Sequence, residues 1–266
     1  GISEVSPAGY AAQAALCAIQ GDYDGARMFG DAGLELAELL GGTRLRPMVL
    51  NTYGNFTGHM VAPLQRNVDR YEESYRTCLK TGDRWWGSWA VHWARVHRFL
   101  KGDVLDDVQT RALAYHAYIQ ESAYVPLVLL SELDLAIFAN LRGKTVTRNT
   151  LNHGEFDQAV MEKTLQDANF GYGLYVLKTF EAWLAYLYED HQLALNLLDQ
   201  ADPHKDLIPG GPAYASFFFY GGLILAANME DTSPGDLLTR FDEYSARIAT
   251  WSQNGCTDNF EHMHQL

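Results

Sequence analysis

Four tryptophans, Trp85, Trp86, Trp89 and Trp93, crowd one short segment and are the residues best suited to recognition chemistry. Spaced i, i+4 and i+8, Trp85, Trp89 and Trp93 share one helical face, and Trp86 lies off it. Such a stripe could anchor a partner, since tryptophan dominates many interfaces. The apolar area of three indoles is better suited to burial against the next helix, which leaves Trp86 as the expected surface member. His92, Arg95 and His97 follow on the same segment. They could meet an acidic or phosphate-bearing partner, although positions on an exposed helix surface account for them more simply. In Thr43-Arg44-Leu45-Arg46-Pro47, Arg44 and Arg46 put two guanidinium groups at a helix start. They suit carboxylate recognition or, more plainly, nearby carbonyls and acidic neighbours. The candidate binding residues are therefore Trp86, His92, Arg95, Arg44 and Arg46, with no catalytic residue among them.

The other motifs are better read as structure. Asp106-Asp107 lacks the third acid of a magnesium site and suits the positive end of a helix dipole. Asp22, Asp83, Asp103 and Asp190 stand at turns where a carboxylate caps the next helix. Gly171-Tyr172-Gly173 is an incomplete nucleotide signature with no preceding strand. His262 and His264 diverge on a helix, and no HExxH or Cys/His cluster accompanies them, so neither a metal nor a cofactor is expected. Asn55-Phe56-Thr57 is a glycosylation sequon in mid-helix, where occupancy is not expected. Cys17, Cys78 and Cys256, odd in number and far apart, read as reduced and buried.

The elements that carry these residues are marked by regular punctuation. Gly21, Gly42, Pro63, Gly82, Gly102, the 122–126 corner and Gly143 recur about every twenty residues, each suited to ending a helix. After a looser stretch, 144–154, the rhythm resumes through Gly171, Asp190, Gly210, Pro234 and Gly255. Between the breaks the apolar spacing is helical, as in Ala26, Phe29, Gly30, Gly33, Leu34, Ala37 and Leu40. Gly54 and Gly58, one turn apart, argue for close helix approach. The segment Gly21-Asp22-Tyr23-Asp24-Gly25-Ala26 has the turn of a TPR-like hairpin. The fold class predicted is all-α, a right-handed α-α superhelix of about six helical hairpins forming a TPR-like solenoid. It would occupy 1–266 as one domain, with an irregular loop near 143–155.

Composition narrows the function. With 266 residues and 47% hydrophobic content the chain can bury a sizeable core. Its net charge of −13 opposes nucleic acid and anionic lipid. The most apolar window, 125–141, is interrupted by Ser131, Glu132 and Asp134, so no membrane insertion is expected. Nor does the N-terminal GISEVSPAGY have the regions of a signal peptide, and a cytoplasmic location is the default. The chain opens on Gly1 rather than Met and stops at Leu266 inside the helical run DNFEHMHQL, which suggests a piece of a longer protein.

Three stretches carry a family resemblance: YDGARMFGDAGLELAELLGG (23–42), LQRNVDRYEESYRTCLKTGDRWWGSWAVHWARVHRFLKG (64–102) and FDQAVMEKTLQDANFGYGLYVLKTFEAWLAYLYEDHQLAL (156–195). Together with the closing WSQNGCTDNFEHMHQL, their order and spacing resemble the helical-repeat region of large bacterial signalling proteins. Those proteins join a serine/threonine kinase, a STAND-type AAA ATPase, this repeat, a GAF sensor and often a histidine kinase. The resemblance implies a non-catalytic scaffold between an ATP-driven switch and a sensor, in a parent protein with serine/threonine or histidine kinase activity. Its partners would be proteins or neighbouring domains, with a small ligand as a further option. A ligand-sensing helical module is the alternative. An α/α-toroid acting on glycosides is a third reading, and it requires two carboxylates converging at roughly 5–10 Å in a central cavity.

Overall fold

A computed structural model describes residues 2–41, 43–229 and 234–266; Gly1 and the expected helix terminator Gly42 lie outside the described residues. The fold is all-α, with one isolated antiparallel bridge, His153 to Phe156, and no strand among the described residues. The helices are α1 (Ser6–Ile19), α2 (Tyr23–Leu39), α3 (Arg46–Tyr53), α4 (His59–Val61), α5 (Leu64–Thr81), α6 (Arg84–Leu100) and α7 (Leu105–Gln120). They continue as α8 (Val125–Leu141), α9 (Gln158–Asp167), α10 (Gly171–Leu187), α11 (His191–Ala201), α12 (Pro212–Asn228), α13 (Pro234–Asn254) and α14 (Thr257–Gln265). None of the helices described is long and apolar enough to cross a membrane.

Six of the helix ends share one physical cause. The amides of Asp22, Asp83, Asp103, Lys144, Phe170 and Asp190 each donate five residues back, to the carbonyls of Cys17, Cys78, Arg98, Ala139, Leu165 and Ala185. The residue before each amide has positive φ, which is the helix-ending Schellman arrangement. Gly supplies it at 21, 82, 102 and 143, but Asn169 and Glu189 adopt it at 50° and 65° with full side chains. Three of these turns share a second device. Asp22, Asp83 and Asp190 accept from the amides of Gly25, Trp86 and Leu193 at 2.9, 3.0 and 3.2 Å, capping the helix that follows. Four residues after each cap stands a buried small residue, Ala26, Gly87 or Ala194, where the second helix closes on the first. The hairpins α1–α2, α5–α6 and α10–α11 are built this way, and each packs extensively along its length.

Asp103 departs from the expected pattern. It caps nothing, because α7 begins beyond Val104, and its carboxylate pairs with Lys101 and, at 3.0 Å, with Arg98. Asp106 and Asp107 do occupy the first turn of α7.

The chain divides into two compact units, Gly1–Leu127 with Gly210–Pro212 and Trp251–Leu266, and Val128–Pro209 with Ala213–Thr250. In the first, Ala11, Ala37 and Val49 form one core cluster, and Tyr71, Ala90, Trp93 and Ala94 another. The chain end is fastened here by Asn259. Its amide donates to the carbonyls of His59 (2.7 Å) and Ala62 (2.9 Å), and its oxygen accepts from the amide of Leu64 (3.2 Å). In the second unit Phe217, Phe218 and Tyr244 form a ring cluster, and Asp202 accepts from the Tyr244 hydroxyl at 2.9 Å. Cys17, Cys78 and Cys256 are buried thiols, as expected.

Candidate functional site

The tryptophan segment is α6, and its stripe runs from rim to core. Trp85 is 48% exposed, Trp89 half-buried and Trp93 buried within the α5–α6–α7 cluster. Trp86 is half-buried, so the surface member is Trp85 and the expectation for Trp86 is corrected. The cause is position along the axis. Trp85 sits in the first turn, at the open end of the helix, whereas Trp93 lies two turns further in. Trp85 and Trp89 meet Tyr124 with ring centroids 4.6 and 6.1 Å away. With Arg84, Ser88, Ser122 and Leu127 these rings bound a recess of about 250 Å³. Arg84 lies over the Tyr118 ring and pairs with Glu121 at 2.6 Å. Ser88 is 1% exposed, and its hydroxyl has no hydrogen-bond partner in the structure.

His92, Arg95 and His97 are not the exposed residues that the sequence suggests; they are 3%, 0% and 0% exposed. They occupy the faces of α6 that α3, α5 and α7 cover. A guanidinium nitrogen of Arg95 donates to His92 Nδ1 at 2.7 Å, which requires a neutral imidazole acceptor. Arg46 takes the plainer of its two expected roles. It is half-buried and braced by Glu73 (2.5 Å), Glu38 (2.8 Å) and the Leu34 carbonyl (3.4 Å). Arg44 is exposed in the turn before α3. The five nominated residues therefore do not converge on one surface.

Behind α6 runs a buried polar seam. Between α3 and α4 the residues Gly54–Gly58 make a π-helical turn, a feature that often marks functional segments. The Asn67 side-chain amide donates to the Gly54 carbonyl at 3.2 Å. Both glycines are required by close approach, as expected: a Cβ on Gly54 would lie 2.8 Å from the Tyr71 ring, and one on Gly58 2.1 Å from Asn67 Oδ1. The sequon residue Asn55 is buried in this turn. Beside it the Tyr71 ring stacks edge-on with His97 at 4.9 Å, and His97 lies 6.2 Å from His59. His97 Nδ1 donates to the Trp93 carbonyl at 3.0 Å. Thr57 Oγ1, Tyr71 Oη, His97 Nε2 and both ring nitrogens of His59 have no partner at hydrogen-bond geometry. Burial lowers His59 to about 4, against a small opposing effect of the Gly54 backbone. His97 is lowered to about 3, first by burial and then by the neighbouring His59.

The second unit holds a site that the sequence reading passes over. The 144–157 segment is an organised loop. Asn140 donates to Thr145 Oγ1, the Arg148 carbonyl and the Thr150 carbonyl, and accepts from the Tyr188 hydroxyl. Gln158 Oε1 accepts from the Leu151 amide at 2.8 Å, and the Gln158 side-chain amide donates to Glu181. Under this loop Lys178 and Glu181, each 8% exposed, line a recess of about 160 Å³. Lys178 Nζ stands 2.8 Å from Glu162 and 2.9 Å from Glu181. Burial raises the Glu181 carboxyl, with Lys178 pulling the other way. The opposite wall is aliphatic, formed by Leu151, Leu184, Ala185, Leu193 and Leu197. One signal could have found the pair: Lys178 and Glu181 are the only charges in GYGLYVLKTFEAWLAYL, a helix too apolar to leave them on a solvated face.

Glu162 and Glu181 are close, but they converge on one ammonium, and Glu162 does not line the recess. They do not form the open acid pair that glycoside hydrolysis needs. Among the described residues no group of three or more His, Cys, Asp or Glu side chains could hold a metal ion. Compared with protein families and with curated proteins, the sequence matches none.

Proposed function

We propose that this chain is a non-catalytic interaction scaffold of TPR-like hairpins, stacked as a right-handed superhelix, that engages a partner through the aromatic recess of α6. The observation that carries the reading is half-exposed Trp85 at the rim of a recess that it shares with Trp89 and Tyr124. Rings at the rim supply the apolar anchor typical of interface hot spots. Ser88 has no base within hydrogen-bond reach, and a hydroxyl without one is a weak nucleophile, which supports recognition over catalysis. The occupant that fits is a peptide with an apolar or aromatic side chain set among Trp85, Trp89 and Tyr124. Selection from a random-peptide library tests this: enriched peptides should share such an anchor and weaken about tenfold or more against Trp85→Ala. Enrichment indifferent to that change would overturn the reading.

The wider setting rests on the resemblance of 23–42, 64–102 and 156–195 to the repeat region of multidomain signalling kinases, and a cytoplasmic location belongs to the same reading. Sequencing the gene on both sides tests it. A P-loop ATPase upstream and a GAF or histidine-kinase module downstream would support it, whereas unrelated flanking modules would remove it.

A further inference from the structure

Helix α1, SPAGYAAQAALCAI, carries no charged residue, in a chain whose net charge is −13. A helix that is apolar nearly all round is ordinarily enclosed. One side of α1 is: Pro7, Ala11, Ala14, Cys17 and Ala18 are buried. The other side is open. Gly9, Ala12, Gln13, Leu16 and Ile19 are exposed, as is Val5 immediately before the helix. Val5, Gly9, Ala12, Leu16 and Ile19 step by four, three, four and three residues, so they form one stripe along the helix. Its branched members Val5, Leu16 and Ile19 are 67, 52 and 47% exposed, and a Cβ on Gly9 would meet nothing within 4 Å. Other helices turn charge outward: the exposed residues of α7 include Asp106, Asp107 and Arg111, and those of α5 include Arg66, Asp69, Arg76 and Lys80.

Apolar residues alternating by four and three make the seam through which one helix receives another, each side chain settling between those of the facing helix. The order of sizes selects the facing helix. Branched side chains stand toward the two ends and Gly9 and Ala12 near the middle, so a helix crossing antiparallel at Ala12 would meet small residues at the point of closest approach. The same stripe on a second molecule satisfies this, setting Val5 against Ile19 at both ends, because a two-fold axis through Ala12 makes the face its own complement. Charge favours the same place. Two copies of a chain at −13 repel one another, and the uncharged face of α1 lets them meet without opposing carboxylates. We propose that the chain self-associates through α1, as an antiparallel two-fold pair of α1 helices crossing at Ala12.

Sedimentation velocity of the whole chain over a concentration series reads the association. A dimer should form at about 10–100 μM, as befits a contact smaller than the standard interface. Ala12→Glu sets two carboxylates against each other on the axis and should weaken association at least about tenfold. Ala12 is exposed, so the helical circular dichroism of this variant should match that of the wild type. Ala12→Cys should cross-link to its own copy under mild oxidation, whereas Leu113→Cys, exposed on α7, should not; the native Cys17, Cys78 and Cys256 are buried. A monomer at every concentration up to about 1 mM would overturn the proposal and leave the stripe to a helix of another protein. A dimer indifferent to Ala12→Glu, or equal cross-linking at positions 12 and 113, would overturn it as well.

Discussion

The two units bury polar groups in opposite ways. Along the seam of the first, His59, His97 and Tyr71 are enclosed with ring nitrogens and a hydroxyl unanswered, and burial keeps the imidazoles neutral. In the second, Lys178 stays charged because two carboxylates meet it, and Gln158 and the loop hold one of those carboxylates in place. One arrangement carries its cost in missing hydrogen bonds and the other in desolvated charge. Truncating a residue should therefore relieve the first and break the second.

The largest expected effect comes from breaking the charged site. Lys178→Met leaves two carboxylates facing each other under the loop and should cost about 3–5 kcal/mol in urea unfolding. A loss below ~1 kcal/mol would mean that water already reaches the pair. Trp93→Ala should cost a similar ~3–5 kcal/mol, Trp89→Ala less, and Trp85→Ala under ~1 kcal/mol, following burial along α6. An equal loss at all three positions would contradict the rim-to-core stripe.

His59→Leu sharpens the comparison from the other side and should raise stability by ~1 kcal/mol, because it removes two unpartnered nitrogens. The pH dependence follows from the same burial. Unfolded histidines take up protons below about 6.5, whereas folded His59 stays neutral to about 4 and His97 to about 3. The unfolded state therefore binds more protons over that interval, and stability should fall as the pH drops from 6.5 toward 4. Thermal melts of His59→Leu should show a flatter profile there; an unchanged slope would place the acid sensitivity elsewhere. The smallest effect is Glu189→Gly, which relieves a φ of 65° and should add about 0.5–1 kcal/mol to the melting stability of the second unit.

Turn chemistry is the part of this molecule most legible in sequence. Gly21-Asp22 and Gly82-Asp83 announce a left-handed helix end followed by a cap, and both occur as read. Asn169 and Glu189 perform the same turn without glycine, so the signal there is weaker. The irregularity of the 144–157 stretch is visible in its sequence. Its order is not, because the organising residues Asn140 and Gln158 lie outside it and act through contacts that no local period reports. Arg95 and His92 mislead for a related reason. A buried guanidinium is rare unless partners answer it, and one of them, His92, becomes evident only once α6 is seen enclosed by its neighbours. The tryptophan stripe was readable as a face but not as a gradient, since spacing gives the direction around a helix and says nothing of depth along it.

The central claim is that α6 presents a working recess at its exposed end, and tryptophan emission reads it directly. Titrating a selected peptide into the wild-type chain and into Trp85→Ala should shift the emission maximum of the wild type to the blue as Trp85 is covered. The variant should show no shift over the same concentrations. A wild-type spectrum unchanged at saturating peptide, or the same shift in Trp85→Ala, would contradict the account.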